Sequence, residues 1–294
     1  MKVRIAVAPG VQPSDPDALS SLVDGLEARG FDTIWLSDLP MADVTDPLLG
    51  LSFAAARTTK LKLGANVVPL GRNPMLLAKE LAQLDQLSRG RLLLSIVVGI
   101  DQPGERESLG VTGNRGEYLD EVLPLLRRWW AGETVTHESA LFSFPGVAVR
   151  PLPVQQPLEL WLGGIGPKAL DRVGRLGDGW LGAAMGPAEA GAAVERINAS
   201  AAACGRSIDP EHHGLSIGYA RKEIDKVTVA GLRRRNPDVD PRDLVPVGAP
   251  ALADLLRRYV DEGLSKFVLR PVGAVSSWNE ELDWLGEAVL HLQT

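Results

Sequence analysis

The stretch Gly163-Gly164-Ile165-Gly166-Pro167-Lys168 has the composition of an anion-binding turn. It stands between an apolar run, Leu158 to Leu162, and a segment patterned as a helix. Backbone N–H groups in such a turn can approach a phosphate closely, and the helix N-terminus adds a partial positive charge. Pro167 is tolerated at the first helical position, and Lys168 in the first turn could add a full charge. The same glycines would equally serve a tight strand-to-helix turn with no ligand, and spacing alone does not separate the two. Asp38, in Trp35-Leu36-Ser37-Asp38, could accept hydrogen bonds from a ligand or act as a base; it could also cap or pair with a buried polar group. Asn66 lies late in another apolar run, where a buried amide either serves a ligand or marks a bulge with its own backbone contacts.

These residues need a scaffold that gathers the ends of several strands. Residues 61 to 99 show its unit. Leu61 to Val68 reads as a strand that stops at Pro69, Gly71 and Pro74. A helix follows with Leu76, Leu77, Leu81, Leu84 and Leu87 on one face and Gly90 at its end, and Leu92 to Val98 has the composition of a strand covered on both sides. Further strands are expected at Val3 to Ala8, Thr33 to Ser37, Leu158 to Leu162, Gly179 to Ala183, Leu215 to Ala220 and Lys266 to Arg270. Helices are expected from Asp15 to Gly30, over Leu48 to Thr58, Arg115 to Trp130, Pro167 to Leu176, Pro187 to Ala203 and Ala249 to Glu262, and from Trp278 to Leu292. Residues 133 to 156 read as an irregular or hairpin insertion, and 223 to 247 as a long polar excursion.

Alternation on this scale predicts an α/β fold, a (β/α)8 TIM barrel with insertions after strand four and strand seven, formed by one domain over residues 1–294. An open doubly wound sheet would usually place a glycine fingerprint after its first strand, and PGVQPSDPD contains none. Ligands of a barrel meet the C-terminal ends of its strands, where Asp38, Asn66, Ser95, Asp101, Gly163 to Gly166 and Arg270 fall.

Composition narrows the function classes. A net charge of -6 with no basic stripe gives no case for nucleic acid; Arg233 to Arg235 are followed by Asp238, Asp240 and Asp243 and read as a solvated loop. The single Cys204 excludes an internal disulfide, no Cys/His cluster has zinc spacing, and neither a leader nor a membrane span is apparent, so a cytoplasmic protein without a bound metal is expected. His137, His212, His213 and His291 are scattered, and structural or surface roles are expected for all four. Without a histidine base or a G-x-S-x-G elbow, hydrolysis is poorly supported, and chemistry borrowed from a cofactor suits the inventory better.

The chain resembles the luciferase-like monooxygenase superfamily of flavin and deazaflavin (coenzyme F420) oxidoreductases over essentially its full length. The segments that carry the resemblance are Gly30 to Asp38, Leu63-Gly64-Ala65-Asn66-Val67-Val68-Pro69, Arg72-Asn73-Pro74, Lys79-Glu80, Asp85-Gln86-Leu87-Ser88, Gly90-Arg91-Leu92, Arg115-Gly116, Asp120-Glu121, Trp161-Leu162-Gly163-Gly164 and Gly177-Asp178-Gly179-Trp180. The resemblance implies a cofactor ring at the barrel mouth with its phosphate near Gly163 and Gly164. It implies Asp38, Asn66, Val67, Gly99, Gly166 and Lys168 as further binding residues, with Asp38 the best catalytic candidate. It also implies a non-prolyl cis bond between Asn66 and Val67, a homodimer and a small-molecule substrate. The pattern looks most like the branch that transfers hydride to or from F420. FMN with a separate reductase, leading to monooxygenation, is the alternative, and a non-catalytic flavin-binding barrel is the alternative of another class. The chain departs from many relatives in having Leu39 after Asp38, and in lacking a carboxylate along the strand-four end from Ser95 to Gly99, which disfavours the sugar-phosphate dehydrogenase branch. An apolar substrate is expected from Leu39, Met41 and Phe142. Trp129 and Trp130 are candidates for the core or for an interface, with the core the safer reading.

Overall fold

Helix starts in the first third of the chain are set by a recurring pair, an Asp or Asn followed by proline. Asp15, Asp46 and Asn73 each accept backbone N–H groups of the first turn, and Pro16, Pro47 and Pro74 occupy the position where no donor is needed. The helices they open are α1 (Pro16–Arg29), α2 (Pro47–Arg57) and α3 (Pro74–Ser88), and they connect strands β1 (Arg4–Val7), β2 (Thr33–Ser37), β3 (Lys62–Val67) and β4 (Leu92–Ile96). The computed structural model describes residues 1–10, 14–100, 104–110, 113–224, 226–235 and 240–294. Asp101 and Asp238 lie outside them.

After β4 come a short helix α4 (Glu105–Ser108), the long helix α5 (Arg115–Trp130) and an antiparallel hairpin of β5 (Thr134–Glu138) and β6 (Ser143–Ala148). The alternation then resumes with β7 (Leu160–Gly163), α6 (Pro167–Leu176), β8 (Gly179–Ala183), α7 (Pro187–Ala203) and β9 (His213–Tyr219). Two helices, α8 (Lys226–Arg235) and α9 (Pro241–Leu244), precede α10 (Ala249–Asp261), β10 (Lys266–Pro271) and α11 (Trp278–Val289). Eight strands close in the order β1-β10-β9-β8-β7-β4-β3-β2, all parallel, so the expected TIM barrel is present and the two expected insertions fall after its fourth and seventh strands. The segment read as a polar excursion is instead largely helical, and Arg233 to Arg235 end α8.

Side chains alternate between the two faces of the barrel wall. Outward residues form the large core beneath the helices, while Ala6, Ala8, Trp35, Trp161, Leu181 and Val268 pack inside the ring. The two interior tryptophans lie against glycines: a Cβ at Gly64 would overlap the Trp35 ring, and one at Gly179 would overlap Trp161. At the N-terminal end the interior is closed by charge. Lys266, 1% exposed, pairs with Asp32 and bonds Thr33 Oγ1 at 2.6 Å, and Lys62 reaches Asp32 at 3.1 Å. These cations hold the Asp32 carboxyl well below its usual range, while burial pushes Lys266 down to about 8.

On α3, Leu77, Leu81 and Leu84 are buried as expected, but Leu76 and Leu87 are 51% and 66% exposed. They stand on the edge of the apolar stripe, one step beyond the arc that meets the barrel. Trp129 and Trp130 belong to the core, with indole N–H groups donated to Val147 O at 3.0 Å and Ala78 O at 2.9 Å. Phe142, expected near the ligand, packs edge-on against Tyr118 and parallel to Phe144 in the hairpin cluster. Among the described residues no helix is long and apolar enough to cross a membrane, and no group of His, Cys, Asp and Glu could hold a metal.

Candidate functional site

A cavity of about 710 Å³ opens at the C-terminal ends of the barrel strands. Asp38, Asn66, Gly99, Gly163 and Gly164 all line it, so five candidates scattered over 127 positions converge on one space. Lys168 lines an adjoining groove, which shares Gly163 and Arg115 with the cavity and continues past Arg106, Arg172 and Arg175. Gly166 caps the start of α6 with open space around it and borders neither.

Asp38 follows β2 and is 7% exposed. Its Oδ2 accepts from Arg72 Nη2 at 3.0 Å and from the Val68 N–H at 3.2 Å, and its own N–H donates to Asn66 O at 2.8 Å. Burial pushes its pKa above the ordinary carboxyl value, with Arg72 opposing. Arg72 is itself positioned by Tyr118, whose hydroxyl donates to the carbonyls of Pro69 and Arg72. Asp38 therefore pairs with a polar group, as one sequence alternative had it, while also lining the cavity.

Asn66 donates from Nδ2 to Ser37 Oγ at 2.9 Å, while its Oδ1 is buried without a partner among the described residues. Ser95 Oγ and Trp35 Nε1 are likewise buried and unpartnered. Polar atoms sealed in this way cost free energy until a ligand or water completes them. The expected cis bond between Asn66 and Val67 is absent: the described cis bonds are Arg150-Pro151 and Gln156-Pro157. Regular parallel pairing explains this, since Asn66 lies opposite Ser95, Val67 opposite Ile96, and Val97 N–H donates to Val67 O at 3.0 Å. The Val67 side chain faces the outer core, fully buried, and takes no part in the cavity.

The glycine turn is shaped by close approach. A Cβ on Gly163 would lie 2.5 Å from Val97 Cγ1, and Gly164 has φ +109, a conformation that favours glycine. Trp180 Nε1 donates to Gly164 O at 2.9 Å and fixes the turn from behind. The N-terminus of α6 has no side-chain cap; Pro167 carries no N–H and the Ala169 N–H donates to Gly166 O at 2.9 Å, which leaves the Lys168 N–H for an anion.

Two residues not identified as site residues from the sequence belong here. Arg115, first residue of α5, lines both cavity and groove and donates to Val98 O at 3.1 Å. Glu105 is 5% exposed, 3.9 Å from Arg115, and lies against Gly99. A carboxylate thus stands behind Gly99, contributed by α4, whose Gly104-Glu105 start carried no spacing signal that could be read beforehand. The histidines keep to structural positions: His212 bonds Asp178 O, His137 bonds Glu121, and His213 is buried at the start of β9.

A family model described as luciferase-like monooxygenase matches residues 1–231. The chain belongs to that family. It is 30% identical over 220 residues to the 5,10-methylenetetrahydromethanopterin reductase of Methanolobus tindarius, covering 73% of this chain and 64% of the reductase. It is 29% identical over 176 residues to an F420-dependent glucose-6-phosphate dehydrogenase of Kineococcus radiotolerans, covering 56% and 52%. The match thus spans under two thirds of either relative. An F420-dependent secondary alcohol dehydrogenase in complex with an F420-acetone adduct superposes with a TM-score of 0.83 at 20% identity over 100% of both chains, which establishes the shared luciferase-like fold. More distant relatives include an FMNH(2)-dependent dimethylsulfone monooxygenase of Pseudomonas fluorescens, 30% identical over 167 residues, 55% of this chain and 43% of that one.

Proposed function

We propose that the protein is an oxidoreductase that transfers hydride between coenzyme F420 and a small organic substrate in the barrel mouth. Family membership and relatives named for F420 support the cofactor class. The observation that carries the choice within it is the continuity of the cavity, at Gly163 and Arg115, with a groove where Lys168 and Arg106 stand beside Glu117, Asp171 and the Arg172, Arg175 and Asp120 ion-pair cluster. A ring in the cavity and an acidic tail along Lys168 and Arg106 fit this path, whereas FMN ends at its phosphate and leaves the groove unused. The sequence also fits the group locally: glycines clear the space at the turn, and Asn66 Oδ1 and Trp35 Nε1 wait unpartnered in the floor.

The deazaflavin, when bound, supplies two-electron hydride chemistry. The chain's own residues hold and orient it. Amides of the Gly163 to Gly166 turn and the uncapped α6 N-terminus would take the phosphate, with Lys168 beside them. Asp38, fixed by Arg72 and Val68, would orient a polar edge of the ring, and the apolar walls from Leu39, Val97 and Leu181 exclude water. Glu105 lies behind Gly99, paired with Arg115, and so helps to hold the strand-four end in place.

Titrating the purified protein with oxidised and reduced F420 and with FMN, followed by absorbance and fluorescence, tests the reading. Saturable F420 binding that weakens with salt is expected. Saturable FMN binding with no F420 response would overturn it in favour of the flavin alternative.

A further inference from the structure

Arg270 differs from the other charges around the cavity. Asp38 is matched by Arg72, and Arg115 by Glu105 and backbone carbonyls. The Arg270 guanidinium lines the same cavity and has no hydrogen-bond or ion-pair partner among the described residues. It shares the inward face of β10 with Val268, and what surrounds it is small: Gly218 lies opposite on β9, and Ala8 and Gly10 follow β1. Arg270 itself stays exposed to the open cavity, and the wall atoms packed near its guanidinium lower its pKa. A cation that is open to the cavity and has no counter-charge is placed to receive one from a ligand.

The remainder of the cavity says what the rest of that ligand is. Leu39, Val97, Leu181 and Val268 present apolar surface, and the Trp35 indole N–H, 1% exposed, adds a buried donor with no acceptor. On β7 the glycine turn is separated from Arg270 by β8 and β9, so an anion at the turn and an anion at Arg270 are different groups. Resting on the oxidoreductase reading above, we propose that Arg270 receives a carboxylate or phosphate of the substrate, and that the enzyme acts on small organic acids with an apolar body. A planar guanidinium matches such an oxyanion with two parallel hydrogen bonds.

The test compares benzoate with its neutral counterpart benzamide on the cofactor-loaded protein, read by quenching of the tryptophan fluorescence of the cavity. The wild type is expected to bind benzoate about tenfold tighter. Arg270→Gln is expected to erase that preference, Arg270→Lys to keep part of it, and both to bind F420 within about twofold of the wild type. Circular dichroism confirms that each variant folds. Equal affinity for benzoate and benzamide in the wild type, or an undiminished preference in Arg270→Gln, would overturn the proposal. Loss of F420 binding in Arg270→Gln would also overturn it, by assigning the residue to a cofactor carboxylate. If FMN proves to be the cofactor, the same comparison on FMN-loaded protein still reads Arg270, so the two proposals fail separately.

Discussion

Arg72 Nη2 lies 3.0 Å from Asp38 Oδ2, and this contact ties the end of β2 to the loop that leaves β3. The carboxylate is buried and the guanidinium half-buried, so neither is easily left alone. Arg72→Met is expected to cost about 2 kcal/mol in urea unfolding, because it strands a desolvated charge whose partner was partly exposed. Adding Asp38→Asn should return part of that loss. Strict additivity of the two changes would show that the pair is not coupled.

His213 gives the fold an acid-sensitive limb. Both ring nitrogens are buried without partners among the described residues, and burial lowers its pKa to about 4 from 6.5. The unfolded chain therefore takes up a proton that the folded one refuses. Stability from this group is fully present above pH 6.5 and is lost as pH falls toward 4. The loss is expected to reach about 3 kcal/mol. His213→Leu should flatten the stability profile between those values with little loss at neutral pH, as measured by denaturant midpoints across pH.

The glycine turn predicts a graded series. Gly163→Ala drives a methyl into Val97, and Gly164→Ala strains a backbone at φ +109, so each should weaken F420 binding by about tenfold. Gly166→Ala meets open space at φ -72 and should bind within about twofold of the wild type. Fluorescence titration of the three variants checks the order.

Lys168 separates charge from structure. It is exposed in the first turn of α6 and lines the groove, so Lys168→Ala should leave the melting temperature unchanged. F420 affinity should fall by about threefold at low ionic strength, with the difference vanishing in high salt. An unchanged affinity at low salt would remove the groove from the cofactor path.

The barrel was legible because its strands are short apolar runs bounded by glycine, proline and Asx-Pro pairs, signals that act locally. Helix α8 was not. Its sequence, Lys226-Val-Thr-Val-Ala-Gly-Leu-Arg-Arg-Arg, holds three β-branched residues and a glycine, so propensity and periodicity argue against the conformation it takes. Within the site, the glycine turn and Asp38 were visible from their places after strands. Glu105 escaped because a short helix folds it back over Gly99, a non-local closeness that no spacing encodes. Arg270 could be placed at a strand end, but its lack of a counter-charge depends on Gly218 and Ala8, which only the ring brings beside it. Asn66 misled: the strain expected there is absent because the ladder to β4 continues unbroken through Val67.

The Lys266 and Asp32 plug, with Trp35 and Trp161 filling the interior of the ring, makes the barrel a blind alley. Whatever settles deepest must arrive first and leave last, since all traffic shares one doorway. Turnover would then obey a queue, in which a lingering upper occupant delays the lower one without ever touching the chemistry.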